Sequence, residues 1–344
     1  MIPLLVTFTS AAVLGLLLTR RFRGMALSRA IIDVPNARSS HVVATPRGGG
    51  VAIAAVVILG SSVLALWTRA ETAPYALLVA AGLAVAAIGF IDDRRGLSRW
   101  PRIVVQACAA IMILAGASST GALIVPGFAE ESLYSWGLAL LALLWLVNLF
   151  NFMDGIDGLA GSEAVFVSLA LVACVQVASP GLSGASLLGT LIAGATSGFL
   201  VLNWPPARIF MGDTGSAFLG LMLGGLSIIA HVEAGMSLWV PVILLGAFVT
   251  DATVTLLRRM GRGERWYEPH RMHAYQHLSR RAGGHLPVTI GFLFTNVVWL
   301  LPLALVAARR PGIGWICAAV AYGPLILAAL WIGAGAPEAP RDRN

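Results

Sequence analysis

The chain has 344 residues, of which 58% are hydrophobic and 11% are charged, and its formal net charge is +7. A soluble domain carries about 25% charged residues, so this composition excludes an ordinary water-soluble fold. All 23 basic residues are arginines that follow or precede apolar runs. We interpret them as a membrane-topology signal and expect no nucleic-acid partner.

Apolar segments long enough to span a bilayer follow one another along the chain. A spanning helix needs about 20 apolar residues, within a range of about 17–25. The eleven candidates are 3–19, 48–67, 75–91, 103–119, 133–150, 159–178, 185–202, 217–232, 236–257, 287–307 and 313–333. Because backbone in lipid must satisfy its own hydrogen bonds, these runs predict an all-α, polytopic integral membrane helical bundle of about 11 transmembrane helices (10–12).

The arginines predict the orientation. With the N-terminus outside, 20 of the 23 arginines fall on the inner side, which is the bias of cytoplasmic loops. We therefore expect a multi-pass protein of the bacterial inner membrane with its catalytic loops in the cytoplasm. Residues 1–333 form a single transmembrane catalytic domain in this interpretation, and 334–344 form a disordered cytoplasmic tail.

The first inner loop carries His41 and Arg47 just before a run of three glycines, Gly48–Gly50. Glycine lets backbone N–H groups approach a ligand, and helix N-termini attract phosphate. The alternative is a simple turn whose glycines serve helix packing.

Asp92 and Asp93 directly follow the third apolar segment. Adjacent carboxylates at a membrane edge need a cation to neutralise them, and they suit Mg²⁺ or a metal ligand beside a base. Salt bridges to the adjacent Arg94 and Arg95 are an equally good interpretation.

Two amides and two acids recur every three residues at the end of the fifth segment: Asn148, Asn151, Asp154 and Asp157. Residues three apart share a helix face, so one strip carries all four side chains. This loop has no arginine, and unpaired acids at a membrane edge indicate a metal or substrate site. A polar loop that caps two helices is the alternative.

Asp213 lies between two glycines of the loop that enters the eighth segment. A helix beginning here could be capped by Asp213 and Ser216, and the same geometry binds a metal-bridged phosphate. Phe210 is near enough to stack against a base.

The last large inner loop contains His270, Arg271 and His273. The histidine spacing could ligate zinc, but no cysteine is near. A cationic site for a diphosphate fits better. We expect His277 and His285 to be solvated loop residues.

Five acids on one membrane face, with amides, glycine turns and cations, are the groups that phosphoryl transfer uses. At these residues the chain resembles the polyprenyl-phosphate N-acetylhexosamine-1-phosphate transferase family, glycosyltransferase family 4. The resemblance spans about residues 33–285. It rests on five ordered motifs, SSHVVATPRGGG, DDRRGLS, NLFNFMDGIDGLAG, FMGDTGSAFLG and HRMHAYQH.

The resemblance implies a Mg²⁺-dependent reaction, with Mn²⁺ as a substitute, between a UDP-amino-sugar and polyprenyl (undecaprenyl) phosphate in the lipid bilayer. It implies metal ligation by Asp213 and Asp154, catalytic roles for Asp92, Asp93, Asp154 and Asp157, and uracil stacking on Phe210. The substrate-binding residues that it implies are Asn148, Asn151, His41, Arg47, His270, Arg271 and His273. A homodimer is a further expectation.

The implied reaction gives polyprenyl-diphosphate-sugar and UMP and would initiate O-antigen or another envelope polysaccharide. Two alternatives stay open: a phospho-N-acetylmuramoyl-pentapeptide transferase, and, from another class, a secondary transporter. Acids at the inner ends of segments and the lack of an internal repeat favour the enzyme. The sequence leaves the amino sugar open, since the candidates differ by single hydroxyls.

Overall fold

A computed structural model describes residues 1–35, 43–68, 72–118, 132–265, 268 and 270–337. Within these ranges the chain is helical apart from its loops and one two-stranded ladder. The α-helices are α1 (Ile2–Ser28), α2 (Gly50–Thr68), α3 (Thr72–Arg95), α4 (Arg99–Ser118), α5 (Leu133–Met153), α6 (Leu159–Ala178), α7 (Gly184–Asn203), α8 (Asp213–Ala234), α9 (Trp239–Leu244), α10 (Gly246–Gly261), α11 (Ala274–Ala282), α12 (Leu286–Thr295), α13 (Leu301–Arg309) and α14 (Gly314–Ile332). The strands β1 (Ile32–Asp33) and β2 (Thr45–Pro46) pair antiparallel.

The predicted all-α polytopic membrane bundle is confirmed. In the described ranges, nine helical stretches are long and apolar enough to cross a membrane, and α2 contributes a shorter apolar stretch, Gly50–Leu66. The predicted segment 236–257 is divided at Leu245 into α9 and α10. A π-helical turn, Asn296–Leu300, joins α12 to α13 within one span. The exact number of crossings and their orientation stay predictions.

Helix α8 lies at the centre of the bundle, and small residues let its neighbours approach closely. A Cβ added at Gly220 would lie 2.3 Å from the carbonyl oxygen of Leu146 in α5. A Cβ at Gly89 of α3 would lie 2.7 Å from the Cα of Thr214. Small residues at such contacts are typical of membrane helix packing. The contact at Gly89 brings the end of α3 against the beginning of α8.

A short backbone ladder fixes the first loop to the segment before α8. The Phe210 N–H donates to the Pro46 carbonyl at 2.8 Å, and the N–H groups of Gly48 and Gly49 donate to the Phe210 carbonyl at 3.1 and 2.9 Å. The Gly50 N–H donates to Met211 at 2.9 Å. The N–H groups of the glycine run therefore bond to the protein's own backbone, which favours the alternative of a turn over a ligand-binding loop.

Candidate active site

Three aspartates from two helices meet two arginines where α3 ends and α8 begins. Arg47 Nη2 lies 3.0 Å from Asp93 Oδ1 and 2.7 Å from Asp213 Oδ1. Arg102 Nη1 lies 3.1 Å from Asp213 Oδ2 and also pairs with Asp92. Each carboxylate oxygen of Asp213 therefore pairs with a different guanidinium group. Mutual repulsion among the acids is offset by these shared cations.

The acid pair at the end of α3 has two different roles. Asp93 accepts hydrogen bonds from the backbone N–H groups of Asp213 and Thr214 at 2.9 and 3.0 Å, and from the Thr214 hydroxyl at 2.7 Å. It therefore caps α8 from another helix, where a negative charge also stabilises the helix dipole. Asp92 is buried and accepts from the Leu97 N–H at 2.6 Å.

The cations of this pair differ from those next to it in sequence. Among the described residues, the carboxylates of Asp92 and Asp93 contact Arg102 and Arg47, whereas Arg94 lies over the Phe90 ring at 4.1 Å from its centroid. The salt bridges to Arg94 and Arg95 that the sequence allowed are not formed in this part of the chain.

A polar cavity of about 230 Å³ opens beside Asp213. Its lining includes Asp33, Arg47, Asn151, Asp154, Asp157, Phe210, Asp213, Gln276 and His285. The lining residues include ones from β1, the end of α5, the beginning of α8, α11 and the loop after α11. These side chains therefore converge on one cavity from separate parts of the chain, while their roles stay predictions.

Asp154 stands out because its carboxylate makes no hydrogen bond or ion pair with any residue in the described part of the chain. Burial raises its pKa well above the usual range of a carboxyl, and the negative charges of Asp213, Asp93 and Asp157 raise it further, against the lowering effect of Arg47. A bound cation would stabilise the ionised form of this carboxyl, because it would offset both the burial and the repulsion by the neighbouring carboxylates.

Asp157 has partners that the sequence did not indicate. Its carboxylate accepts from the Ala207 N–H at 2.9 Å and lies 3.2 Å from His285 Nδ1. The side chain of His285 is only 15% exposed. The expectation that His285 is a solvated loop residue was therefore wrong, since it joins the start of α12 to the acidic loop.

The strip of amides and acids along α5 divides in two. Asn151 lines the polar cavity and donates to the Ser216 hydroxyl at 3.3 Å. Asn148 turns toward α4, where it donates to Gln106 Oε1 at 3.3 Å and to the Leu144 carbonyl at 2.8 Å. Both amides, with Asp92, Arg102 and Asp213, also line a narrow crevice between α3, α4, α5 and α8.

A second cavity of about 690 Å³ adjoins the polar one. Phe210, Asp157, Gln276 and His285 line both cavities. Arg271 and Arg280 line only the larger one, together with Pro205, Pro206 and the glycines after α11. An aromatic ring at the junction, flanked by guanidinium groups, is suited to a planar base joined to phosphates.

The two histidines of the last large loop lie apart from these cavities. His273 is buried, with Nδ1 3.2 Å from Asp251 Oδ1, and its ring stacks on His270 at 4.8 Å between centroids. Burial, with the nearby charges of His273 and Arg259, lowers the pKa of His270 to about 3. Neither histidine lines the two cavities. Their predicted contact with a diphosphate stays a prediction, and His41 lies outside the described residues.

Arg102 and Asp33 line the candidate site although the motifs did not assign them a role, and Asp251 is a buried acid behind the neighbouring loop. Asp251 accepts from the N–H groups of Ala274 and Tyr275 at 2.8 and 2.9 Å and so caps α11. The Tyr275 hydroxyl donates to the Phe152 carbonyl at 3.0 Å, which ties α11 to the end of α5. An acid inside a predicted span was an available signal for Asp251.

The donor set suits a hard divalent cation. Asp154, Asp157, Asp213 and Asn151, whose side chains carry oxygen atoms, line the polar cavity, and oxygen is the ligand that Mg²⁺ prefers. Within the described residues, no three His, Cys, Asp or Glu side chains are already arranged as a metal site. Arg47 and Arg102 stand between the carboxylates, so Asp213 would share its charge between these arginines and the ion.

Comparison with known proteins places this geometry in a family. Residues 75–231, which contain Asp92, Asp93, Asp154, Asp157 and Asp213, match the model of glycosyl transferase family 4. The chain is 31% identical over 306 residues to a probable undecaprenyl-phosphate N-acetylglucosaminyl 1-phosphate transferase of Bacillus subtilis, covering 86% of this chain and 84% of the relative.

Two further relatives extend the comparison. A decaprenyl-phosphate N-acetylglucosaminephosphotransferase of Mycolicibacterium smegmatis is 33% identical over 323 residues, with 84% of this chain and 79% of the relative covered. A phospho-N-acetylmuramoyl-pentapeptide-transferase of a Synechococcus species is 34% identical over 281 residues, with 75% and 76% covered. With its acid-bearing helix ends gathered at one site, the chain belongs to glycosyl transferase family 4.

Proposed function

We propose that this membrane protein transfers an N-acetylhexosamine-1-phosphate from a UDP-sugar to polyprenyl phosphate, giving polyprenyl-diphosphate-sugar and UMP. The observation that carries the proposal is the meeting of acids from the end of α3 and the beginning of α8 with Arg47 and Arg102, beside a polar cavity that Asp154 also lines. The names of the relatives support it, since each describes a phosphosugar transferase and two of them specify a polyprenyl phosphate.

The two cavities suggest how the sugar nucleotide lies. Phe210 at their junction would stack the uracil of the UDP-sugar. Arg271 and Arg280 line the larger cavity, next to the bound UDP-sugar. The pyrophosphate would occupy the smaller cavity, where Arg47 offers a guanidinium and Asn151 an amide. Planar guanidinium groups bind phosphate oxygens in pairs, which fixes orientation as well as charge.

The lipid phosphate would approach from the other side of Asp213. The narrow crevice between α3, α4, α5 and α8 has apolar side chains, Val85 and Ile88, as well as Arg102. We assign Arg102 to the headgroup of the polyprenyl phosphate, since this arginine lies between membrane helices while Arg47 lines the polar cavity. The crevice has a volume of only about 10 Å³, so the headgroup would have to widen it.

Transfer would be a single displacement. An oxygen of the lipid phosphate attacks the β-phosphorus of the UDP-sugar, and the bond from that phosphorus to the oxygen bridging it to the α-phosphorus breaks, so that UMP leaves. A phosphate monoester has a second pKa of about 6, so the nucleophile is already mostly ionised near neutrality. Positioning and charge neutralisation then supply most of the catalysis. An intermediate on Asp93 is disfavoured because both its oxygens already accept hydrogen bonds from α8.

Mg²⁺, or Mn²⁺ in its place, would be held by Asp213 and Asp154. When bound, it supplies positive charge to the pyrophosphate oxygens. Asp157 would hold the loop after α5 through Ala207 and His285.

We also propose that this site faces the cytoplasm of a bacterial inner membrane, where UDP-sugars are made. The acids lie at the arginine-rich end of the bundle, while Arg309 and Arg310 lie at the other end of the α12–α13 span. Initiation of O-antigen or another envelope polysaccharide, and assembly as a homodimer, stay predictions.

The test is release of UMP by the purified protein in lipid nanodiscs, with undecaprenyl phosphate, Mg²⁺ and a panel of UDP-sugars. We expect UMP and a lipid-linked product with UDP-N-acetylglucosamine or a close analogue, and none when EDTA is present. Turnover only with UDP-N-acetylmuramoyl-pentapeptide would indicate the peptidoglycan branch of the family. Failure with every UDP-sugar would refute the proposal.

A further inference from the structure

The end of α14 folds back onto the inner loops. Three arginines donate to carbonyl groups within residues 332–335: Arg281 to Ile332 at 2.9 Å, Arg258 to Ala334 at 2.8 Å, and Arg262 to Gly335. Unpaired carbonyls at a helix C-terminus carry partial negative charge, which cations stabilise. These arginines therefore stabilise the end of α14 through hydrogen bonds to its backbone. They also contribute to the positive charge of the predicted inner face.

Gly335 fits its place closely. Its φ is +73°, and a Cβ there would lie 2.8 Å from the Thr255 carbonyl oxygen and 3.1 Å from Arg258 Cβ. Ala334, which the sequence assigned to the disordered tail, is fully buried and packs with Ala274 and Ala329. The start of the predicted tail is thus part of the folded protein, while 338–344 lies outside the described residues.

This segment touches the histidine-containing loop directly. The Gly335 N–H donates to the Met272 carbonyl at 2.6 Å. On the other side of the same loop, Arg271 lines the larger cavity, and its carbonyl accepts from Arg280 at 3.1 Å. Residues 270–273 are therefore held between the end of α14 and the cavity to which we assign the sugar nucleotide.

We propose that residues 332–335 form a positioning brace: they hold loop 270–273 so that Arg271 and Arg280 keep their places in the sugar-nucleotide cavity. This inference rests on the proposed function for its kinetic consequence. A displacement of about 1 Å at a substrate contact can lower kcat/KM about a hundredfold. Loss of the brace should therefore weaken use of the UDP-sugar while leaving the crevice for the lipid phosphate intact.

The test compares Gly335→Val with Gly323→Val in full-length protein in nanodiscs. Gly323 lies in α14, and a Cβ there meets nothing within 4 Å. We expect Gly335→Val to raise the KM for UDP-N-acetylglucosamine about tenfold or more, without a matching change in the KM for undecaprenyl phosphate. Gly323→Val should match the unaltered protein in both constants. A parallel rise in both KM values for Gly335→Val, or no change in either, would overturn the brace.

Amide hydrogen exchange gives a second measurement that does not depend on activity. The peptide containing 270–276 should exchange faster in Gly335→Val than in Gly323→Val, and unchanged exchange would refute the brace. If the unaltered protein releases no UMP, the proposed function fails while the exchange comparison still decides the brace. Should Gly335→Val not insert into the membrane, Arg258→Ala removes one guanidinium instead and is judged by the same two measurements.

Discussion

The acids at the two ends of the α3–α8 pair differ in how their carboxylates are satisfied. At the end away from the candidate site, Glu233 accepts from the Tyr75 hydroxyl at 2.5 Å and from the Ala185 N–H at 3.0 Å, so both its oxygens are satisfied by the fold. At the other end, Asp213 shares two arginines with Asp92 and Asp93, and Asp154 lacks a hydrogen-bond partner among the described residues. The first arrangement joins helices, whereas the second leaves charge for a ligand.

The largest expected effect is at Asp213. Asp213→Ala should lower turnover by at least about 10²–10³-fold, the magnitude typical of losing an electrostatic group at a reacting centre. The variant should still insert into the membrane and elute as a single species in detergent, because Asp93 provides the cap of α8. UMP release and size-exclusion chromatography measure the two outcomes. Full turnover by the purified variant would remove Asp213 from the reaction.

Asp154 should separate activity from stability. Its raised pKa means that the folded protein disfavours the ionised carboxylate. The Asp154 carboxylate therefore lowers the free energy of unfolding more and more as pH rises from the usual pKa of a carboxyl to the raised pKa in the folded protein. Asp154→Asn should therefore abolish transfer yet raise the Tm at pH 7, with the gain shrinking as pH falls toward about 4. Thermal unfolding at several pH values checks the sign. Mg²⁺ should raise the Tm of the unaltered protein more than that of the variant.

Asp251 tests whether an acid contributes to stability because of its hydrogen bonds or to activity because of its position in the bundle. It lies near the inner loops, yet it is satisfied in the way that Glu233 is, by two backbone N–H groups and a neighbouring side chain. Asp251→Ala should destabilise the protein by about 2 kcal/mol through loss of the α11 cap. Asp251→Asn keeps an acceptor oxygen and should lose less. Equal Tm values for both variants would contradict this comparison.

The smallest effect is expected at the opposite end. Tyr75→Phe removes one hydrogen bond to Glu233, which should reduce stability by about 1 kcal/mol. Turnover should be unchanged, because α3 carries the candidate site at its other end. A clear loss of activity at a temperature where the variant stays folded would show that the two ends are coupled.

The sequence predicted most of the fold because membrane helices depend on long apolar runs, and such runs are a local property of the sequence. The acids that line the candidate site were also selected from the sequence, since carboxylates at the ends of membrane helices are costly without a partner. Their catalytic and metal-binding roles stay predictions. The motifs did not reveal that Arg102, ten residues after Asp92, joins Asp92 to Asp213. That pairing depends on how α3, α4 and α8 pack.

Other details were hidden for related reasons. The glycines at 48–50 suggested open N–H groups, but which carbonyl groups they meet depends on the distant segment at Phe210 and Met211. His285 looked like a surface residue because its partner, Asp157, is far away in sequence. The break at Leu245 has no proline at that position to announce it. In each case the deciding contact is long-range.

The sharing of two guanidinium groups by three carboxylates has an electrical consequence. Three carboxylates against two guanidinium groups leave a surplus of one negative formal charge, which disfavours a nucleotide diphosphate that has no counter-ion. A nucleotide that arrives already complexed with its counter-ion brings the missing charge with it. We therefore expect an order of addition in which the ion and the nucleotide arrive together, and rates that depend on the concentration of their complex.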